Sequence, residues 1–273
     1  MKNLATLILA LLTALAAPAA AVPGSGPSGQ TLRVADSLYA AKDYTQAILH
    51  YRKATEETAP CAALYFNLGN AAMQANRYGD AMVAYQRAAA LDPANARIRN
   101  NIAYLQQKVD DRNTAALGSR RGDLRHAEPS GLDALWNSIT AHHSAALWGW
   151  LGISCFLLLL AGLLCYILSP SVLARKTGFF ASLVLLAATV LFGIFTAGAR
   201  NHWQQRRECV VTAYSAQLLP KPDKDAKAEV PPLAAGTLLT LPENDTPAPD
   251  GWVYVRLNPA TAGWLPISDL TML

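Results

Sequence analysis

The stretch Ser144–Ala199, SAALWGWLGISCFLLLLAGLLCYILSPSVLARKTGFFASLVLLAATVLFGIFTAGA, decides how this chain is laid out. Ser144 to Ala174 contains no Asp, Glu, Lys, Arg or His; Arg175 and Lys176 follow, and Thr177 to Ala199 is again uncharged. A bilayer core of roughly 30 Å needs about 20 apolar residues in helical form, and each half supplies them. A soluble helix of this length would keep a polar face; neither half has one. The reading is a transmembrane hairpin: a first span over 145–168, a cytoplasmic loop over 169–178 that starts with the helix stop Ser169-Pro170, and a second span over 179–199. Trp148 and Trp150 before the first span and Trp203 after the second fit an aromatic belt on the side shared by the outer ends.

Working outward to the N-terminus, residues 1–21 read MKNLATLILALLTALAAPAAA. Basic Lys2, an apolar run from Leu4 to Ala17 and small Ala19 and Ala21 form the three-part pattern of a secretory signal peptide. Arg175 and Lys176 favour the cytoplasm, while Arg200, Arg206 and Arg207 oppose that orientation; the export signal acts first and decides it. The expectation is a bacterial inner-membrane protein with two spans and both soluble segments in the periplasm.

At 273 residues and 52% hydrophobic content, the chain has room for an anchor and two small domains, not one large enzyme. Residues 22–130 carry 13 Lys+Arg against 10 Asp+Glu, and residues 201–273 carry 6 against 8. Neither segment has the basic stripe that a phosphate backbone requires, so nucleic acid is not an expected partner. The four cysteines have no metal-ligand spacing. A Cys61–Cys209 disulfide is permitted in an oxidising compartment, and sequence does not establish it.

Between the leader and the spans lies a repeat. A shift of 34 residues aligns Tyr44 with Tyr78, Ala47 with Ala81, Tyr51 with Tyr85 and Ala54 with Ala88, and also Val34 with Leu68 and Ile102. Small residues such as Gly69, Ala81 and Ala88 let antiparallel helices approach, and Tyr51 and Tyr85 fill the wedge between successive hairpins. Stacking such units buries a core that no single unit could close. Residues 28–112 thus resemble a tetratricopeptide-repeat array of two full copies and one partial capping copy, ARIRNNIAYLQQKVDDR. The resemblance implies a concave face lined by the first helix of each repeat. Its groove positions fall on Asp36, Phe66, Asn67, Asn70, Met73, Asn101 and Tyr104. Each Asn has an equally good alternative role, a hydrogen bond within the array. The basic residues that clamp a C-terminal carboxylate in some such arrays have no match here.

Residues 113–144 are a linker and pre-membrane segment. Leu132, Leu135, Trp136 and Ile139 have helical spacing, which suits either an amphipathic helix on the membrane surface or one packed on the repeats. His142 and His143 are neighbours pointing about 100° apart on a helix, with no third ligand nearby, so no metal site is expected. From 208 to 273 the pattern changes to short strands between turn residues. The phrases Ala235-Gly236-Thr237, Trp252-x-x-Val255 and Ala262-Gly263-Trp264-Leu265 resemble a small all-β bacterial SH3-like barrel. Trp252 and Trp264 suit its core; a ligand groove formed by Tyr214, Trp252 and Trp264 is the alternative.

No His-Glu-x-x-His, phosphate-cradling glycine loop or serine elbow occurs, so the chain reads as a non-enzymatic scaffold without cofactor. The order of signal peptide, repeats containing LYFNLGNA, membrane hairpin and SH3-like tail resembles the Bat E-type aerotolerance proteins over nearly the whole chain. That resemblance implies partners: membrane proteins with von Willebrand A domains and a MoxR-type AAA ATPase system, in assembly or maintenance of protein complexes under envelope stress. The competing reading is a cell-wall protein whose tail binds peptidoglycan while its repeats recruit a hydrolase.

Overall fold

A computed structural model describes residues 27–117, 131, 135–136, 139–140, 143–204, 207–223, 225–228, 230–242, 248–258 and 261–273. The signal-peptide reading and most of the linker, including His142, lie outside these residues. Five helices come first: α1 (Pro27–Ala40), α2 (Tyr44–Glu57), α3 (Ala62–Gln74), α4 (Tyr78–Leu91) and α5 (Ala96–Leu117). They form two antiparallel hairpins and a long single helix. The two intra-hairpin turns are built alike, 34 residues apart. Lys42 (φ 64°) and Asn76 (φ 58°) take left-handed backbone, and the Asp43 and Arg77 amides donate back to the Leu38 and Ala72 carbonyls. Asp43 caps α2 by accepting from the Gln46 amide, 3.1 Å.

The small residues work as close-approach points. Ala47, Ala81 and Ala88 are wholly buried. A Cβ on Gly69 would lie 2.5 Å from the Tyr85 ring, so only glycine lets the ring lie flat against the α3 backbone. Tyr51, Tyr85, Ile48, Met82 and Leu105 fill the space between the hairpins.

Among the described residues, two helices are long and apolar enough to cross a membrane: α6 (Ala145–Leu168) and α7 (Val172–Gln204). α6 buries only Leu159; apart from Trp148, its other large apolar side chains are exposed, as lipid allows and water does not. The connection is shorter than the sequence pattern implied. Ser169 and Pro170 stop α6, Ser171 accepts from the Ala174 amide, and helix resumes at Val172, carrying Arg175 and Lys176 within its first turns. The helices cross at glycines: a Cβ on Gly162 would sit 2.6 Å from Ser182 Oγ, and one on Gly178 2.8 Å from the Gly162 carbonyl. Ser182 satisfies its hydroxyl inside the pair by donating to the Gly178 carbonyl, 2.7 Å.

Among the described residues of the pre-membrane segment, Trp136 and Thr140 pack on this hairpin. The Trp136 ring meets Phe195 at 5.9 Å, and Gly198 is the gap that admits it, since a Cβ there would lie 2.5 Å from the ring. Trp148 likewise turns inward onto Phe192 and Phe195, while Trp150 stays exposed.

The tail is a curled antiparallel sheet in the order β6-β5-β4-β1-β7, with a two-stranded β2-β3 ribbon beside it. The strands are β1 (Glu208–Val211), β2 (Ser215–Ala216), β3 (Leu233–Ala234), β4 (Leu238–Thr240), β5 (Trp252–Asn258), β6 (Thr261–Pro266) and β7 (Leu270–Met272), with a 3-10 turn Ile267–Asp269 before β7. Val255, Leu257, Leu265, Leu239 and Cys209 point inward. Alternation therefore puts Trp252 and Tyr254 on the opposite face, so the two tryptophans are not core residues of the tail.

The repeats and the tail are not independent pieces. Val210 belongs to the same buried cluster as Tyr78, Leu105 and Val109 of the array, with Ala234, Leu238 and Leu273 packed against it. Val210 pairs with Leu238 across β1 and β4, and both face the helices. Gly79 on α4 touches β1 directly: a Cβ there would lie 2.8 Å from the Val211 carbonyl and Thr212 Cα. At Gly236, φ +93°, a Cβ would lie 2.8 Å from Val109 and 3.2 Å from the Tyr78 carbonyl. Buried Asn113 locks the contact. Its amide donates to Thr237 Oγ1 (3.0 Å) and its carbonyl accepts from the Ala234 N–H (2.8 Å). The permitted Cys61–Cys209 disulfide is not formed: all four cysteines are free, Cys209 pointing into the tail core and Cys61 exposed before α3. Burial, and secondarily Glu208, push the Cys209 thiol up to about 12.

Candidate functional site

The residues expected to line the groove come from α1, α3 and α5. Tyr51 of α2 donates to Asp36 of α1 (2.6 Å), and 34 residues on Tyr85 of α4 donates to Asn70 of α3 (2.8 Å). Each tyrosine body is buried in the array while its hydroxyl emerges among the first helices. Asn101 of α5 closes the second unit, donating to Asn70 Oδ1 (3.0 Å) and to the Tyr85 hydroxyl (3.2 Å). The hydroxyls are held protonated. Burial, and then the bond to Asp36, raise the Tyr51 pKa. Burial brings Tyr85 to about 12, with the Asn101 bond working in the opposite direction.

Asp36, Asn70 and Asn101 therefore serve the array itself. The network fixes the spacing of α1, α3 and α5, and what it leaves accessible is the rest of that face. Phe66 is half-buried, its ring 5.9 Å from Tyr85, and it packs on the Ala88, Ala89 and Ile98 cluster under α5. Met73 is half-buried against the main core. Asn67 is partly accessible. Tyr104 is 55% exposed, with the Lys108 ammonium 5.4 Å from its ring centre. Lys108 escaped the sequence reading. The i, i+4 spacing from Tyr104 on a helix was the available signal.

Residues 69–110 match the TPR repeat family model. The match begins at Gly69, the glycine under the Tyr85 ring, and runs through α4 into α5, so it spans Asn70, Met73, Tyr85, Asn101 and Tyr104. No curated protein matches the chain. TPR repeats are helical protein-interaction modules, and the matched residues run from the second half of α3 through α4 into α5 of this helical array. The match suggests a protein-interaction scaffold for this part of the chain.

The second expected groove does not assemble as a trio. Trp252, Tyr254 and Trp264 lie together on the outer face of the β5-β6 ribbon, where Tyr254 pairs with Trp264 across the strands. Their rings meet edge-on at 5.2 Å. Tyr214 lies elsewhere, at the rim of a cleft between the repeats and the tail, and is 91% exposed. Among the described residues, no cluster of His, Cys, Asp and Glu is placed to hold a metal ion. His143 instead packs edge-on against Trp148, 5.5 Å between ring centres.

Proposed function

We propose that the chain is a non-enzymatic, membrane-anchored scaffold whose TPR face, centred on Asn67, Met73, Tyr104 and the Asn70–Tyr85–Asn101 network, holds a partner protein. The observation that carries this reading is the shared core between repeats and tail on a two-helix anchor. Val210 of the tail is buried among Tyr78, Leu105 and Val109 of the repeats, so both soluble parts lie on one side of the hairpin. Two soluble parts joined through one core on a membrane anchor suit assembly of membrane complexes, and among the described residues no constellation of nucleophile, base and acid accompanies them.

The export signal supports the bacterial inner membrane as the location and the periplasm as the side. The order of parts supports a Bat E-type role beside von Willebrand A domain membrane proteins and a MoxR-type ATPase system. For the tail, the SH3-like reading is supported by β1 pairing with both β4 and β7 and by the 3-10 turn before the last strand. Photo-crosslinking from Tyr104 in native membranes, read by mass spectrometry, tests the scaffold. Adducts with von Willebrand A domain proteins are expected, and adducts confined to lipid or to cell-wall enzymes would refute the assignment. Alkaline phosphatase fused at the C-terminus should be active and fused after Lys176 inactive; the reverse would refute the periplasmic placement.

The half-buried aromatic ledge of Trp252, Tyr254 and Trp264 favours one second reading, peptidoglycan binding, because accessible ring faces stack on sugars. Pulldown of the full protein by purified glycan, lost in Trp264→Ala, would select it.

A further inference from the structure

The contact between repeats and tail leaves two adjoining hollows on the side of α4. One, of about 500 Å³, includes Arg52, Arg77, Arg112 and Tyr214 in its walls. The other, of about 410 Å³, adds Arg87 and Glu56. Both contain Arg52, Asp80 and Thr271, where they meet. Four arginines therefore face two carboxylates.

Among the described residues, only one carboxylate, Asp80, forms ion pairs with these four arginines. Arg52 and Arg77 both bind the single carboxylate of Asp80, each at 2.6 Å, and stay 43% and 44% exposed. Arg112 has no carboxylate partner among the described residues; its guanidinium lies 4.3 Å over the Tyr78 ring, and Lys108 approaches the same ring from 5.8 Å. Arg87 lies beside the Tyr65 ring at 6.0 Å. Rings hold these cations in place without cancelling their charge, and a guanidinium fork suits a carboxylate in bidentate geometry. Tyr214 stands almost wholly in solvent at the rim, a rigid amphipathic surface of the kind that anchors interfaces.

From Arg77, the residue that caps α4, to Arg87 within it is ten residues, or about 15 Å at 1.5 Å per residue. An extended peptide rises about 3.3 Å per residue, so the trough matches four or five residues and exceeds what a single small anion fills. We propose that this trough is a second partner site, distinct from the TPR face, which takes an extended acidic segment of a partner protein. The segment's carboxylates would meet Arg52, Arg77, Arg87 and Arg112, and one side chain would stack on Tyr214.

The test uses the full-length protein in phosphatidylcholine nanodiscs and fluorescein-labelled hexaglutamate, followed by fluorescence anisotropy. Saturable binding is expected, at least tenfold weaker for hexaglutamine and about tenfold weaker for the double variant Arg112→Gln, Tyr214→Ala. Tyr104→Ala, on the TPR face, should bind hexaglutamate as the wild type does. Both substituted side chains in the double variant are exposed, so its melting should be unchanged. If it is not, Tyr214→Ala alone is measured and should still weaken binding. Absence of saturable binding, equal binding by wild type and variants, or loss of binding in Tyr104→Ala would overturn the proposal. So would Arg112-dependent flotation with phosphatidylglycerol vesicles without hexaglutamate binding, which would assign the trough to lipid headgroups.

Discussion

Replacing Asn113 by Ala should release the tail from the repeats while leaving each correctly folded. Asn113 is 3% exposed and both ends of its amide are used, one on Thr237 Oγ1 and one on the Ala234 N–H. A buried hydrogen bond contributes about 0.5–1.5 kcal/mol net, and an abandoned buried donor costs about 1–3 kcal/mol. Two bonds lost with the Ala234 N–H left unsatisfied give about 2–3 kcal/mol. The Thr237 hydroxyl is spared, because it still donates to the Ala234 carbonyl, 2.7 Å. Local opening governs amide exchange, and about 1.4 kcal/mol is tenfold in an equilibrium. Hydrogen exchange on the full protein in detergent should therefore show the Ala234 amide about thirtyfold or more less protected. The Val255 amide, deep in the tail sheet, should be nearly unchanged, since the tail undocks as a unit. Gly79→Leu should act in the same direction from the other side, because the new side chain meets β1 backbone that cannot yield. Unchanged protection at Ala234 in both variants would refute the shared-core account. Equal loss at Ala234 and Val255 would mean that the tail has no stability of its own.

Tyr85→Ala removes a buried ring and the hydroxyl that joins Asn70 to Asn101; it should cost about 3–5 kcal/mol and lower the thermal midpoint, and an unchanged melt would contradict the packing. Gly178→Leu should force the spans apart at the Gly162 crossing, so disulfide crosslinking between cysteines placed at Gly149 and Thr196 should fall sharply; undiminished crosslinking would show that the helices cross elsewhere. Cys209 should resist maleimide at pH 8 in the folded protein while Cys61 reacts, with Cys209 labelled only after denaturation. Its folded pKa, about 12, lies above the ordinary thiol value of 9.0. Its stabilising contribution is therefore complete below about pH 9 and lost as pH rises toward 12. Cys209→Ser, which cannot ionise there, should show a shallower alkaline decline in stability than the wild type.

The sequence by itself determined what depends on local periodicity. Two uncharged runs, the 34-residue recurrence of Tyr51 at Tyr85 and of Ala47 at Ala81, and short alternating strands after Glu208 marked the hairpin, the array and the tail. These are properties of neighbouring residues, since burial of one helix face or one strand face imprints a period on the chain. Tertiary structure decided what depends on pairs far apart. Asn113 meets Thr237 across 124 positions, and no local pattern distinguishes it from the other asparagines of α5. Whether Asn70 and Asn101 faced a ligand or each other was open until Tyr85 was placed between them. Tyr214, read as part of a groove with the tryptophans, turned out to border the repeats, because β1 docks on α4 and carries the following turn with it. One trace of that docking was present in the sequence. Cys209-Val210-Val211 is continuously apolar where a one-sided strand would alternate, as expected of a strand buried on both faces. The chain shows that a second face is covered; only the fold shows that the cover is the TPR array, because burial leaves a mark of hydrophobicity and none of the partner's identity.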